Sequence, residues 1–407
     1  MKYKIQVNHR LCPVCNSNDY EKVHSQQNDY IIGFNFVDYE NNFVLCKNCG
    51  LVYSNPVPTE DELFKYYSNF NNYTNVENNG EADSSSYKKF NRIYQLIQNE
   101  FQSNFKGKVL EIGCGTATGL SIFKENGWTV LGIDPSKTTS KIAKKLFDID
   151  VIVSNFDEKI LPSICKMDVV ILSHVLEHLI DPNKVIELMK LILNEKGIIY
   201  IEVPNLLKPL MSKCYFSFEH LNYFTVNTLK NLLAKHQLES KIKTFDNSEN
   251  IEPFYPVISS ISKLSKDINL NFINDYELSK KVMNNYTYTL TKSENDLKAT
   301  LFKILEKFKN RKIAIWGAGL HTTYILNLLE KRAEQIFCFF DNDKQKDGLT
   351  LDNKPIYYYK NILDIEGKVD CIIISSVSYE NKIYEQLKIL EEANIKIFKL
   401  YDKREII

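Results

Sequence analysis

The stretch Val109-Leu-Glu-Ile-Gly-Cys-Gly-Thr-Ala-Thr-Gly119 constrains this chain more than any other. A short apolar run, a glycine loop and a helical pattern predict a buried strand turning sharply into a helix. Further strands follow at βα spacing. Thr129-Val-Leu-Gly-Ile-Asp134 ends in an acid, residues 167–174 end in Ser173 and His174, and residues 197–204 end in Pro204. Strands alternating with helices imply a parallel sheet with its ligand at the carboxyl ends of the strands. Gly113, Gly115 and Gly119 are expected to adopt positive φ and to let the backbone approach that ligand closely. Asp134, about 20 residues on at a strand end, is placed to accept from two ribose hydroxyls. A dinucleotide is one ligand of this kind. Glu111, just ahead of the loop, would repel a pyrophosphate and suits a cationic ligand instead.

The 407 residues predict two or three domains, and 44% hydrophobic residues supply their cores. Lys plus Arg equals Asp plus Glu at 51 each, with no basic block, so neither nucleic acid nor a membrane surface is an expected partner. Met1-Lys-Tyr-Lys-Ile lacks an apolar signal region, and no run approaches the roughly 18 apolar residues of a membrane span. Nine cysteines, an odd number spread along the chain, suit a reducing cytoplasm.

Four of them form a C-x₂-C…C-x₂-C pair, Cys12-Pro-Val-Cys15 and Cys46-Lys-Asn-Cys49-Gly. Each knuckle points two thiolates at one ion, and two knuckles close a tetrahedron. The expectation is a zinc ribbon with structural Zn2+ on Cys12, Cys15, Cys46 and Cys49. A redox-active dithiol is the other chemistry open to this pattern. Four protein ligands leave no open position for water, so the zinc would fold the segment rather than catalyse. Gly50 is expected to free the second knuckle so that backbone N–H groups reach sulfur.

The glycine loop with Asp134 closely resembles the first motif of class I S-adenosylmethionine-dependent methyltransferases. The resemblance implies S-adenosylmethionine as cofactor, with Glu111, Gly113, Gly115 and Asp134 around it, Asp157 facing the adenine in competition with Asn155 and Phe156, and His174 lining the donor. The whole order of elements resembles the zinc-ribbon-containing sugar methyltransferases with a Rossmann-like tail. It does so through the four cysteines, the glycine loop, Val175-Leu-Glu-His178 and Glu219-His220-Leu-Asn-Tyr-Phe224. That resemblance implies methylation, typically at carbon, of a nucleotide-linked deoxy- or ketosugar, by a monomer or homodimer. O- or N-methylation of a glycan sugar and a non-catalytic S-adenosylmethionine-binding scaffold are the alternatives.

The fold expected is α/β. A zinc ribbon spans 1–57, a helical linker and lid 58–105, and a Rossmann-like methyltransferase domain with a parallel sheet 106–245. A helical connector spans 246–310 and a C-terminal Rossmann-like α/β domain 311–407. In that last domain Gly317, Gly319 and Asp341 mark a glycine turn and a strand-end acid. Thr322 replaces the third glycine of G-x-G-x-x-G, which favours a degenerate scaffold or a sugar-nucleotide role over an NAD site.

The expected acid–base residues are His220, Glu219 and His178. Imidazole titrates near the operating pH, and Glu219 is expected to raise the basicity of His220 and fix its tautomer. His178 is placed on the opposite wall of the cleft. The aromatics flanking Glu219 and His220 are expected to pack a sugar ring, and Tyr66, Tyr67 and Tyr73 to close over it. His174-Val-Leu-Glu-His178 also matches H-x-x-E-H of certain zinc proteases, a motif that must lie on a helix. Carbon-methylating relatives place a Tyr and a His where this chain has Ser217 and Phe218, and an H-G-G-S-like stretch where it has Asn250-Ile-Glu-Pro-Phe-Tyr255.

Overall fold

The structure, a computed structural model, describes residues 3–31, 35–69, 84–212, 215–246, 256–268, 271–360, 369–377, 379–392 and 394–401. It divides into two compact units. One is Met1–Leu210 with Cys214–Tyr286, and the other is Met211–Lys213 with Thr287–Ile407.

The first unit opens with β1 (Val7–Asn8), β2 (Tyr20–Ile31), β3 (Asn35–Cys46), β4 (Val52–Ser54) and β5 (Val57–Pro58). β2, β3 and β4 run antiparallel, and β1 pairs with β5. Helices α1 (Glu60–Asn69) and α2 (Ser84–Gln98) follow. Thr59 Oγ1 accepts from the Glu62 N–H, capping α1.

Next come β6 (Lys108–Ile112), α3 (Thr118–Glu125), β7 (Thr129–Asp134), α4 (Lys137–Phe147), β8 (Val151–Val153) and β9 (Met167–Ser173). They continue into α5 (Pro182–Ile192), β10 (Leu193–Pro204), β11 (Asn222–Tyr223), α6 (Val226–Lys235), β12 (Leu238–Phe245) and β13 (Val257–Leu264). The seven-stranded sheet has the order β12-β13-β10-β9-β6-β7-β8. The five strands from β10 to β8 are parallel, and their near-continuous apolar runs fit burial on both faces. Side-chain caps start the covering helices: Ser136 accepts from the Thr139 N–H, and Asp181 accepts from the N–H groups of Asn183 and Lys184 ahead of Pro182.

Two expectations are corrected here. The connector predicted to be helical over 246–310 instead contains β13, which lies antiparallel between β10 and β12. Val257, Ile258, Ser259, Ser260 and Ser262 are buried, and their backbone groups satisfy the edge that β10 would otherwise leave unpaired. A domain end at 245 therefore falls inside the sheet. The helix is α7 (Tyr276–Lys307), and the division between units lies within it.

The cysteine segment also lacks a core of its own. Cys12, Val14, Val44, Cys46, Cys49, Leu51 and Tyr53 share one buried cluster with Leu110, Ile112, Leu172, Ile186 and Ile201 of the large sheet. Strand β4 extends its small sheet by pairing with β11 (Tyr53 with Asn222, Val52 with Tyr223). Arg10 fastens the same junction. It donates to the carbonyls of Ser54 (3.1 Å), Ile180 (2.7 Å) and Leu221 (2.7 Å) and to Asn222 Oδ1 (3.0 Å).

In the second unit, β14 (Ile313–Trp316), α8 (Leu320–Leu329), β15 (Ile336–Asp341), β16 (Thr350–Leu351), β17 (Lys354–Tyr358), β18 (Cys371–Ile374), α9 (Glu380–Leu387) and β19 (Lys396–Phe398) build a sheet of order β16-β17-β15-β14-β18-β19. All but β16 are parallel. Among the described residues no helix is long and apolar enough to cross a membrane.

Candidate active site

The loop after β6 lies where the strand order reverses, with β7 on one side and β9 on the other, the usual ligand crevice of such sheets. The N–H groups of Gly113 and Cys114 both donate to Ile133 O (2.8 and 3.2 Å), which ties the loop to β7. Gly113 has φ +70°, and a Cβ there would lie 2.5 Å from Val175 Cγ2, so only glycine fits. Gly119 departs from expectation. It sits inside α3, where a Cβ would meet Phe90 Cδ1 at 2.8 Å and Glu111 Oε2 at 2.9 Å. Its role is close packing, and the further positive φ belongs to Ala117.

Asp134 ends β7 and is already engaged. Oδ2 accepts the Gly115 N–H (2.9 Å), and Oδ1 accepts the Ser136 N–H (2.9 Å) and the Thr139 hydroxyl (3.0 Å). A carboxylate has roughly four acceptor positions. Acceptor capacity therefore remains on Oδ2 beside these loop-shaping bonds. Asp157, after β8, accepts the Lys159 N–H (2.9 Å), while neighbouring Phe156 packs on the core. Glu111 is buried, and its Oε2 has no hydrogen-bond partner. Burial pushes its carboxyl up to about 8, with Lys89 opposing and Asp134 adding. A buried, unpartnered acid beside the loop is what a cationic ligand would satisfy.

Facing this loop is the turn after β9. His174 has φ +56°, a strained backbone for a residue other than glycine, and donates its N–H to Glu202 O (2.9 Å). Its Nδ1 lies 3.3 Å from Glu177 Oε1 and its Nε2 3.6 Å from Glu202 Oε1. Burial opposes charge on His174, yet the two carboxylates hold it above its ordinary value. Only a single 3-10 turn, Leu176–His178, follows. The protease reading of H-x-x-E-H needs a longer helix and is set aside.

His178 and His220 are neighbours, not opposite walls. Their ring centroids are 4.8 Å apart at an interplanar angle of 80°. The Leu221 N–H donates to Glu177 O (2.7 Å), drawing the two loops together. His178 Nδ1 lies 3.0 Å from Glu219 O and 3.0 Å from the Tyr67 hydroxyl. Tyr66 donates to Glu219 Oε2 (3.0 Å). Helix α1 thus lays Tyr66 and Tyr67 over the cluster, while Tyr73 lies outside the described residues. Burial lowers His178, and burial with the adjacent His178 lowers His220 to about 4. Glu219 acts to raise His220, as expected, but these two effects outweigh it.

The flanking aromatics are core. Phe216, Phe218, Tyr223 and Phe224 are buried, Phe216 against Phe43, Tyr223 and Tyr286, and so are not faces for a sugar. Ser217 O accepts from Asn41 Nδ2 (2.9 Å), and Phe218 packs edge-on against Tyr39 and Tyr66. The 250–255 stretch lies outside the described residues.

A family profile described as "Methyltransferase domain" matches residues 87–240. Those residues form a class I S-adenosylmethionine-dependent methyltransferase domain. The C-methyltransferase NovU of Streptomyces niveus is 23% identical over 202 residues, 48% of this chain and 46% of that protein. An uncharacterized methyltransferase of Alkaliphilus oremlandii is 28% identical over 120 residues, 29% of this chain and 54% of its own. The chain thus spans about half the length of the curated relatives it matches. A solved S-adenosylmethionine-dependent methyltransferase from Archaeoglobus fulgidus is 21% identical, with 48% of this chain and all of that one covered, at a TM-score of 0.39. A second profile, "C2185-like, N-terminal", matches residues 309–398.

Beside the methyltransferase domain, the four cysteines converge. Cys12 Sγ lies 3.5 Å from Cys49 Sγ and Cys15 Sγ 3.4 Å from Cys46 Sγ, and all four sulfurs fall within 4.8 Å of one another. A tetrahedron with bonds of about 2.3 Å has edges of about 3.8 Å, so the donor set fits zinc. The Gly50 N–H donates to Cys46 O (2.9 Å), while the backbone of Asn48 bonds the Cys46 sulfur and that of Ser17 the Cys15 sulfur.

In the second unit Gly317 has φ +101°, and Asp341 accepts from the Ala318 N–H (2.8 Å) and from Lys346 Nζ (2.8 Å). Lys346 therefore sits on the acid that an NAD ribose would need.

Sequence reasoning missed the charged group behind His174. Arg92 on α2 donates to both oxygens of Glu202 (2.8 and 3.0 Å), and Tyr200 donates to Oε2 (2.7 Å). Burial works against the Glu202 charge, but His174 and Arg92 hold its carboxyl far below the usual range. The available signal was an acid inside an otherwise apolar strand.

Proposed function

We propose that this protein transfers the sulfonium methyl of S-adenosylmethionine to carbon of a nucleotide-linked deoxy- or ketosugar, in surface-glycan or deoxysugar synthesis. The observation that carries this reading is the seating of Gly113 on Val175, which puts the donor loop directly against the turn bearing Glu177 and His178. An electrophilic methyl and a polar acceptor cluster then share one crevice, as in-line transfer requires. The name of NovU supports carbon as the acceptor atom. The donor brings the methyl. Glu111 answers its positive charge, Asp134 takes a ribose hydroxyl, Asp157 faces the adenine, and His174 lines the donor. His220, with Glu219 and His178, serves the acceptor, and Tyr66 and Tyr67 roof the pocket against water. Structural zinc on the four cysteines holds the turn from which Arg10 departs.

The test is methyl-labelled S-adenosylmethionine with a panel of nucleotide-linked ketosugars, the product being read by NMR. A new C–CH₃ carbon is expected. His220→Asn should lower turnover by about 10²–10⁴ with donor affinity unchanged. Ser217, where relatives place their proposed tyrosine base, favours oxygen as the second reading, and a methoxy signal would establish it. Donor binding with no label in any sugar would leave a non-catalytic scaffold.

A further inference from the structure

The cluster facing the donor loop holds more acceptor capacity than its own hydrogen bonds use. Glu177 is 1% exposed, and neither of its carboxylate oxygens has a hydrogen-bond partner. His220 Nδ1 is likewise buried without one. His174 Nδ1 pairs with Glu177 Oε1 at 3.3 Å and faces Glu202 with its other nitrogen. A buried carboxylate that makes no hydrogen bond and has only imidazoles for charged neighbours keeps acceptor capacity for a cation.

The imidazole beside it is arranged to meet one. His178 Nδ1 is 3.0 Å from the Glu219 carbonyl, so that nitrogen carries the proton and Nε2 keeps its lone pair. Nε2 lies 3.9 Å from Glu177 Oε1. Metal-bound histidines are commonly oriented in this way, with the far N–H given to a backbone carbonyl. One ligand atom each from Glu177, His178 and His220 falls within 4.8 Å of the others. Bonds of about 2.1 Å to one central ion need only small side-chain rotations from there.

We propose that Glu177, His178 and His220 bind a divalent transition-metal ion, separate from the four-cysteine cluster, and leave its remaining positions to two oxygens of the methyl acceptor. Two imidazoles and one carboxylate are a borderline-soft set, suited to iron, cobalt, nickel or zinc in the divalent state rather than to magnesium or calcium. Three protein ligands leave coordination positions open, unlike the closed cysteine tetrahedron. The open positions would take adjacent oxygens, as in a hydroxyketone, and stabilise the negative charge that grows on an acceptor oxygen. The chelation of acceptor rests on the proposed sugar methylation; the binding of metal does not.

Cobalt(II) distinguishes the two sites in one titration of the full-length, zinc-loaded protein. Binding at the proposed site gives a visible ligand-field band without thiolate-to-cobalt charge transfer, whereas exchange into the cysteines adds that charge-transfer band. One thiolate-free equivalent is expected. Glu177→Gln and His220→Ala should each weaken it by more than the roughly 10–100-fold that outer-shell changes cost. Asp134→Ala, a donor-site change, should leave the titration as in the parent. Absence of the thiolate-free band in the parent, or parent-like titration of both cluster variants, overturns the proposal. Adding a nucleotide ketosugar should shift the band, and an unmoved band overturns the chelation. A protein that binds cobalt here but methylates no sugar refutes the functional reading and leaves the metal site standing.

Discussion

Arg92 and Glu202 face each other fork to fork, at 2.8 and 3.0 Å, with side chains 8% and 0% exposed. The pair pins α2 to the carboxyl end of β10 and places the carboxylate beside His174. Arg92→Leu should destabilise the first unit by about 3–5 kcal/mol, because it leaves a buried charge unmatched. At 2–4 °C of Tm for each kcal/mol, calorimetry resolves the loss easily. The double change Arg92→Leu with Glu202→Leu should recover most of it. The sign with pH follows from Glu202 being depressed in the folded state. Its contribution is whole above the unfolded value of 4.5 and is lost as pH falls below it. The gap between parent and Arg92→Leu should therefore narrow in acid. A gap that stays constant there would show that the pair does not set it.

Asp134 bears on both loop shape and donor affinity. Asp134→Ala removes the acceptor of Gly115, Ser136 and Thr139 as well as any ribose contact. Charged hydrogen bonds contribute about 1.5–3 kcal/mol each, so affinity for S-adenosylmethionine should fall about tenfold or more. Asp134→Asn keeps one acceptor oxygen and should lose less. Unchanged affinity in both variants, by isothermal calorimetry, would remove Asp134 from the site.

Glu111 links donor binding to protons. Its carboxyl is pushed up to about 8 by burial, so at neutral pH it is largely protonated before a cation arrives. A cationic donor favours the ionised form. Binding should therefore release a proton below about pH 8, and affinity should climb as pH rises toward that value. Glu111→Gln should flatten this climb. Calorimetry in buffers of different ionisation enthalpy counts the proton directly, and equal counts in parent and variant would refute the link.

Zinc removal should be felt across the first unit. The chain is expected to carry zinc on its four cysteines, and Cys46→Ser to lose it, by elemental analysis. Reading the cysteine segment as an independent ribbon would predict a separate, early melting step. Cys12, Cys46 and Cys49 instead share a core with strands of the large sheet. The first unit of the zinc-free protein should melt in one cooperative transition at lower temperature. A transition absent from the zinc-loaded parent would restore the independent ribbon.

The sequence by itself determined what depends on near neighbours along the chain. The strand–loop–helix of 109–119, the acid ending β7 and the paired C-x₂-C knuckles are local patterns. Their chemistry follows from residue type and spacing, so they were legible before any fold. Tertiary structure decided what depends on partners far apart in sequence. It showed β13 filling the edge of β10, because buried backbone must be paired and nothing local encodes that edge. It placed His178 against His220 rather than across the cleft, because the Leu221 N–H is drawn to Glu177 O. It turned the aromatics around Glu219 into core and left Glu177 buried among imidazoles with no hydrogen bond to its oxygens. Burial sets the charge state of such groups, and burial belongs to the assembled unit, not to the spacing of residues along the chain.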